Sequence, residues 1–145
     1  MKKSKLTAIN ISLIILLVLT TVSSVVLECT GGKDLLALRG SALVILHIAV
    51  TLALMILSYL HIKAHFGQAK QWRERFRRTK RSNKWLLLIM AITLFTGIAA
   101  IFTYFVCGHT PFGAIHGKIG YIALLIMFLH LLRRRKWLKI IFSRK

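Results

Sequence analysis

Four histidines combine a residue type and a spacing that could do chemistry. His47 and His61 lie fourteen residues apart in one apolar run, and His116 and His130 repeat that interval in another. A straight α-helix rises about 1.5 Å per residue, so each pair spans roughly 21 Å along its axis. Fourteen residues are also two heptads, which keeps both members of a pair on one seam of a left-handed bundle. With the two helices side by side and pointing the same way, His47 meets His116 and His61 meets His130. Two facing imidazoles at two depths are what two bis-histidine b-type haems require.

The simpler reading of any one of these histidines is a hydrogen bond to a neighbouring helix. Ionisable groups at membrane depth are costly, however, and usually functional. Four of them with a repeated interval favour a ligand role. A zinc or copper site fits less well, because the apolar runs hold no acidic residue and two levels roughly 21 Å apart cannot serve one metal. Glu28, Asp34 and Glu74 are the only acidic residues, so paired-carboxylate chemistry has no material to work with. No phosphate loop or nucleophile–base pair is present. Neither cysteine belongs to a C-x-x-C-H run, which excludes covalent c-type haem attachment.

Other residues take secondary parts in this reading. Gly97, Gly117 and Gly120 could admit a bulky planar macrocycle, or could serve ordinary close packing of helices. Arg39 and Lys118, with Lys33, are the cations available to haem propionates on the outer side. His65 follows His61 by one helical turn and could compete as the inner ligand or form a surface metal site. A solvated histidine at the helix end is the simpler reading. His109 sits in a short external turn, with a proton relay or no role at all as its alternatives.

The elements that must position these residues are legible in the apolar runs. Four of them exceed the length needed to cross a bilayer of roughly 30 Å. They predict helices over about 6–27, 40–66, 85–106 and 114–132, within one transmembrane domain of residues 1–145. The fold class is all-α, a transmembrane four-helix bundle. A basic polar loop is expected over 67–84, with Trp72 and Phe76 as interfacial anchors, and a basic tail over 133–145, with Trp137 marking the interface. The first run resembles a secretory signal, but it is long for one and lacks a clean cleavage site, so an uncleaved helix is expected.

The net charge of +19 is a topology signal. Nineteen of the 22 lysines and arginines fall in the N-terminus, the middle loop and the tail, leaving Lys33, Arg39 and Lys118 opposite. The positive-inside rule then gives an N-in/C-in protein, with attraction to anionic lipid as a second effect. Nucleic-acid binding is not expected, since no reader signature accompanies the arginines. Cys29 and Cys107 both fall at outer helix ends, where a disulfide and two thiols remain equally open. The two halves resemble parallel two-helix repeats, because both histidines recur after 69 positions. Upstream, Leu19-Thr-Thr-Val-Ser-Ser-Val25 can be laid on Leu94-Phe-Thr-Gly-Ile-Ala-Ala100, 75 positions on.

With these residues in hand, the chain resembles the di-haem cytochrome b arrangement of quinol-oxidising complexes and of some dehydrogenase and hydrogenase membrane subunits. The His47 and His61 helix and the segment Gly113-Ala-Ile-His116-Gly-Lys-Ile-Gly120 to His130 look most similar to the flavinylation-associated cytochromes. Leu131-Leu-Arg-Arg-Arg-Lys-Trp137 departs from the aromatic-rich ending that often follows the last ligand there. The resemblance implies a bacterial inner-membrane protein that passes electrons to an extracytosolic flavoprotein carrying covalent FMN. The expectation is therefore two haem b groups, His47 with His116 outside and His61 with His130 inside. They would join a quinol or cytoplasmic donor to an extracytosolic acceptor, as an electron-transfer subunit rather than an independent catalyst. The alternative is a haem-free multi-pass protein with a histidine-lined metal or transport site.

Overall fold

The computed structural model describes residues 3–34, 39–66, 72–107 and 111–133, and all their regular structure is helical. Five helices follow one another: α1 (Lys3–Thr30), α2 (Gly40–Phe66), α3 (Trp72–Arg78), α4 (Arg81–Cys107) and α5 (Pro111–Arg133). Four of them, all but α3, are long and apolar enough to cross a membrane. This is a multi-pass membrane protein. His109, Trp137 and the basic tail beyond Arg133 lie outside the described residues, as do residues 67–71 of the middle loop.

Local chemistry sets the helix ends. Gly31 and Gly32 carry φ of 58° and 74°, which glycine adopts without strain. The Gly32 N–H donates to the Leu27 carbonyl at 3.2 Å and the Gly31 N–H to that of Glu28 at 3.3 Å. This is a Schellman termination, and it consumes carbonyls that α1 would otherwise leave open. The chain returns so closely that a Cβ on Gly40 would overlap the Gly32 carbonyl. The Gly40 N–H donates to Asp34 Oδ1 at 2.7 Å, placing an acidic side chain at the positive end of α2. Pro111 opens α5 at the first helical position, where a missing N–H costs nothing.

The helices outrun their apolar cores. α1 begins at Lys3 and ends at Thr30, and α4 begins at Arg81 rather than near Trp85. Lysine, arginine and serine continue a helix once it has nucleated, so apolarity marks the hydrocarbon span and not the helix boundary. The loop expected over 67–84 also contains α3, a basic turn with no apolar stripe to announce it. Its Arg78 Nη2 pairs with Glu74 Oε1 at 2.6 Å one turn earlier, an exposed i,i+4 pair. Arg75 Nη1 donates to the His65 carbonyl at 3.0 Å, capping the end of α2.

Two compact units result, residues 1–78 and 79–145. In the first, α1 packs on α2 and α3 lies against α2; in the second, α4 packs on α5. Little is buried within either unit. Thr20, Ser23, Leu43 and Leu54 are the buried side chains of the first among the described residues, and Ala123 that of the second. Elsewhere the surface is apolar, with Phe95, Phe102 and Phe105 each at least 67% exposed along α4. Such a surface suits contact with lipid rather than water.

Candidate functional site

Each hairpin fixes its own histidines. In the first, the Ser23 hydroxyl on α1 lies 2.9 Å from His47 Nδ1 on α2. The same hydroxyl lies 3.0 Å from the Thr20 carbonyl, and its one hydrogen serves one of these two contacts. Moving thirteen residues back along α1 and fourteen forward along α2 reaches the next pair, Asn10 and His61. Here His61 Nδ1 lies 2.8 Å from Asn10 Oδ1. A carboxamide oxygen can only accept, which puts the His61 proton on Nδ1.

The second hairpin repeats the arrangement at His116. Thr96 Oγ1 donates to the Ile92 carbonyl at 3.0 Å, with the Thr93 carbonyl at 3.1 Å, and lies 3.2 Å from His116 Nδ1. The His116 ring also hydrogen-bonds the Thr93 backbone. His130 lies fourteen residues further along α5 and is half-buried, as the other three are. In His47, His61 and His116 alike, the ring nitrogen set against an oxygen of the preceding helix is Nδ1. An oxygen at one ring nitrogen is the partner that normally accompanies metal ligation through the other.

Gly97 has a definite local reason. A Cβ there would stand 3.0 Å from His116 Cε1 and 3.4 Å from Nδ1, so the ring lies directly on the α4 backbone. The group pressing on Gly97 within this unit is thus an imidazole. A Cβ on Gly120 would meet nothing within 4 Å, so nothing in its own hairpin calls for glycine there. Gly117 is half-buried beside His116, while Lys118 on α5 and Arg39 just before α2 are exposed. His65 is exposed too, with its ring centroid 4.6 Å from that of His61. Cys29 and Cys107 are exposed thiols at the ends of α1 and α4. Among the described residues no three histidine, cysteine or acidic side chains converge as a metal cluster would.

The same hydrogen bonds recur 73 residues apart. Ser23 to the Thr20 carbonyl corresponds to Thr96 to that of Thr93. Thr30 bonds the carbonyls of Val26 and Leu27, and Thr103 those of Ala99 and Ala100. The exposed positions 15, 18, 19, 22 and 25 of α1 likewise match 88, 91, 92, 95 and 98 of α4. The alignment at 75 sets Ser23 on Ile98, whereas these recurrences set it on Thr96. On α2 and α5 the exposed positions 45, 46, 49, 52, 56, 59 and 60 match 114, 115, 118, 121, 125, 128 and 129, at the histidine interval of 69.

Two hydroxyls are left over. Thr20 Oγ1 and Thr51 Oγ1 are buried without a hydrogen-bond partner, one turn from the Ser23–His47 pair. In comparison with known proteins, no family model, curated protein or solved structure matches the chain.

Proposed function

We propose that this protein carries electrons across a membrane through two bis-histidine haem b groups. His47 and His116 hold the outer haem, and His61 and His130 the inner one. The observation that carries this reading is the common orientation of His47, His61 and His116, each with Nδ1 against an oxygen of the preceding helix. A histidine that merely tied helices together would not need that nitrogen selected at each position. The residues present therefore fit the group.

Each haem, when bound, supplies a one-electron iron couple. The chain does the rest. Ser23, Asn10 and Thr96 orient the rings, and Gly97 lets His116 lie against α4. Gly117 and Gly120 leave room beside the macrocycle, and Arg39 and Lys118 offer cations to the outer propionates. Apolar helices exclude water around both levels. The recurrences at 73 and 69 residues support two parallel two-helix repeats, which would set the two histidine pairs at matching depths. The basic N-terminus, middle segment and tail support an N-in/C-in orientation, in a bacterial inner membrane. A quinol or cytoplasmic donor and an extracytosolic flavoprotein acceptor complete the reading, in the manner of a flavinylation-associated cytochrome.

The test is a reduced-minus-oxidised absorption spectrum of the purified protein, with haem counted per chain. Sharp b-type bands at about two haems per chain are expected for two bis-histidine sites. A colourless protein after expression with ample haem would overturn the proposal and return the histidines to a metal or transport path.

A further inference from the structure

The chain contains two asparagines, Asn10 and Asn83, and they lie 73 residues apart. That is the interval at which Ser23 recurs as Thr96, Thr20 as Thr93 and Thr30 as Thr103. Asn10 already has a role, as acceptor of the His61 Nδ1 proton. The helical register gives Asn83 a counterpart. In the first hairpin, thirteen residues back from Ser23 and fourteen forward from His47 arrive at Asn10 and His61. The same two steps from Thr96 and His116 arrive at Asn83 and His130.

Asn83 is half-buried, like Asn10, although it sits among Arg81, Ser82 and Lys84 in the basic first turn of α4. Its backbone N–H is already used, donating to the Lys80 carbonyl at 2.9 Å, which leaves the side chain for another purpose. Asparagine is a poor helix former, and an arginine or lysine there would serve the helix and the topology better.

We propose that Asn83 is the positioning residue of His130: with haem in place, its side-chain carbonyl accepts the His130 Nδ1 proton as Asn10 accepts that of His61. This rests on the haem reading. It makes the two levels chemically different, with hydroxyl oxygens behind His47 and His116 and carboxamide oxygens behind His61 and His130. An acceptor behind a ligating imidazole raises its basicity and favours the ferric iron.

The experiment is a redox titration of the full-length, haem-loaded protein, following the two haems separately in Asn83→Leu, Asn83→Ser and, as the reference, Asn10→Leu. Loss of one such acceptor is expected to cut the preference for ferric over ferrous iron about tenfold. For a one-electron couple that is a rise of about 59 mV. Asn83→Leu and Asn10→Leu should both raise the inner potential and leave the outer one in place, and Asn83→Ser should fall between Asn83→Leu and wild type. If Asn83→Leu loses the inner haem altogether, Asn83→Ser decides, since its hydroxyl should restore the haem with a potential raised by less than about 59 mV. An unmoved inner potential in Asn83→Leu, with Asn10→Leu shifted, overturns the assignment and leaves the haem reading standing. Wild-type protein without haem overturns both.

Discussion

His61 Nδ1 and Asn10 Oδ1 stand 2.8 Å apart across the α1–α2 interface, and this contact fixes which ring nitrogen carries the proton. A carboxamide oxygen has no hydrogen to give, so the ring's proton is on Nδ1 and its lone pair on Nε2. Removing His61 should then empty one level and spare the other. His61→Ala is expected to bind one haem per chain with the outer spectrum intact, and to stop transfer across the membrane. Retention of two haems would refute the ligand assignment.

Gly97 tests the outer level. A methyl group added there would sit 3.0 Å from His116 Cε1, closer than carbon atoms tolerate without movement. Thr96 holds the ring at Nδ1, so the displacement falls on the Nε2 side. Gly97→Ala should weaken outer haem binding by roughly tenfold, and Gly97→Val by more. Haem titration into apoprotein measures both, and a Gly97→Val protein with native outer-haem affinity would show the contact to be dispensable.

Thr51 should be improvable. Its buried hydroxyl has no partner, and valine keeps the shape while removing the polar atom. Thr51→Val is expected to stabilise the protein by about 1 kcal/mol, read as a higher thermal midpoint in detergent. A lower midpoint would mean that the hydroxyl has a partner in solution, such as a bound water.

Orientation is open to direct labelling. Cys29 and Cys107 are exposed where α1 and α4 end. With an N-in/C-in topology both face the extracytosolic side. After mild reduction, a membrane-impermeant maleimide should label both in intact cells. Labelling only after lysis would reverse the topology.

The four spanning helices are legible in the sequence because hydrocarbon demands long uninterrupted apolar runs. Their ends are not, since Lys3, Ser4, Arg81 and Ser82 extend a helix without extending its apolar core. α3 escapes the same test, being held by a salt bridge and a cap rather than by an apolar stripe. The histidine levels are visible as a repeated interval of fourteen, whereas the partners of those rings are not. Pairing Ser23 with His47 requires the register of α1 against α2, which depends on the turn at Gly31 and Gly32 and the tight return to Gly40. Asn10 looks in sequence like a stray polar residue in an apolar run. The signal in the sequence is the pair of asparagines 73 residues apart, the interval that also separates Ser23 from Thr96.

His47 and His61 meet polar partners inside α1–α2, and His116 does so inside α4–α5. An unmet donor in hydrocarbon costs several kcal/mol, so a lone helix bearing one of these histidines would partition poorly into lipid. Each helix pair removes that obstacle by itself. Biogenesis can therefore proceed pair by pair, with α1–α2 leaving the translocon as a finished insertion unit while α4–α5 is still being synthesised.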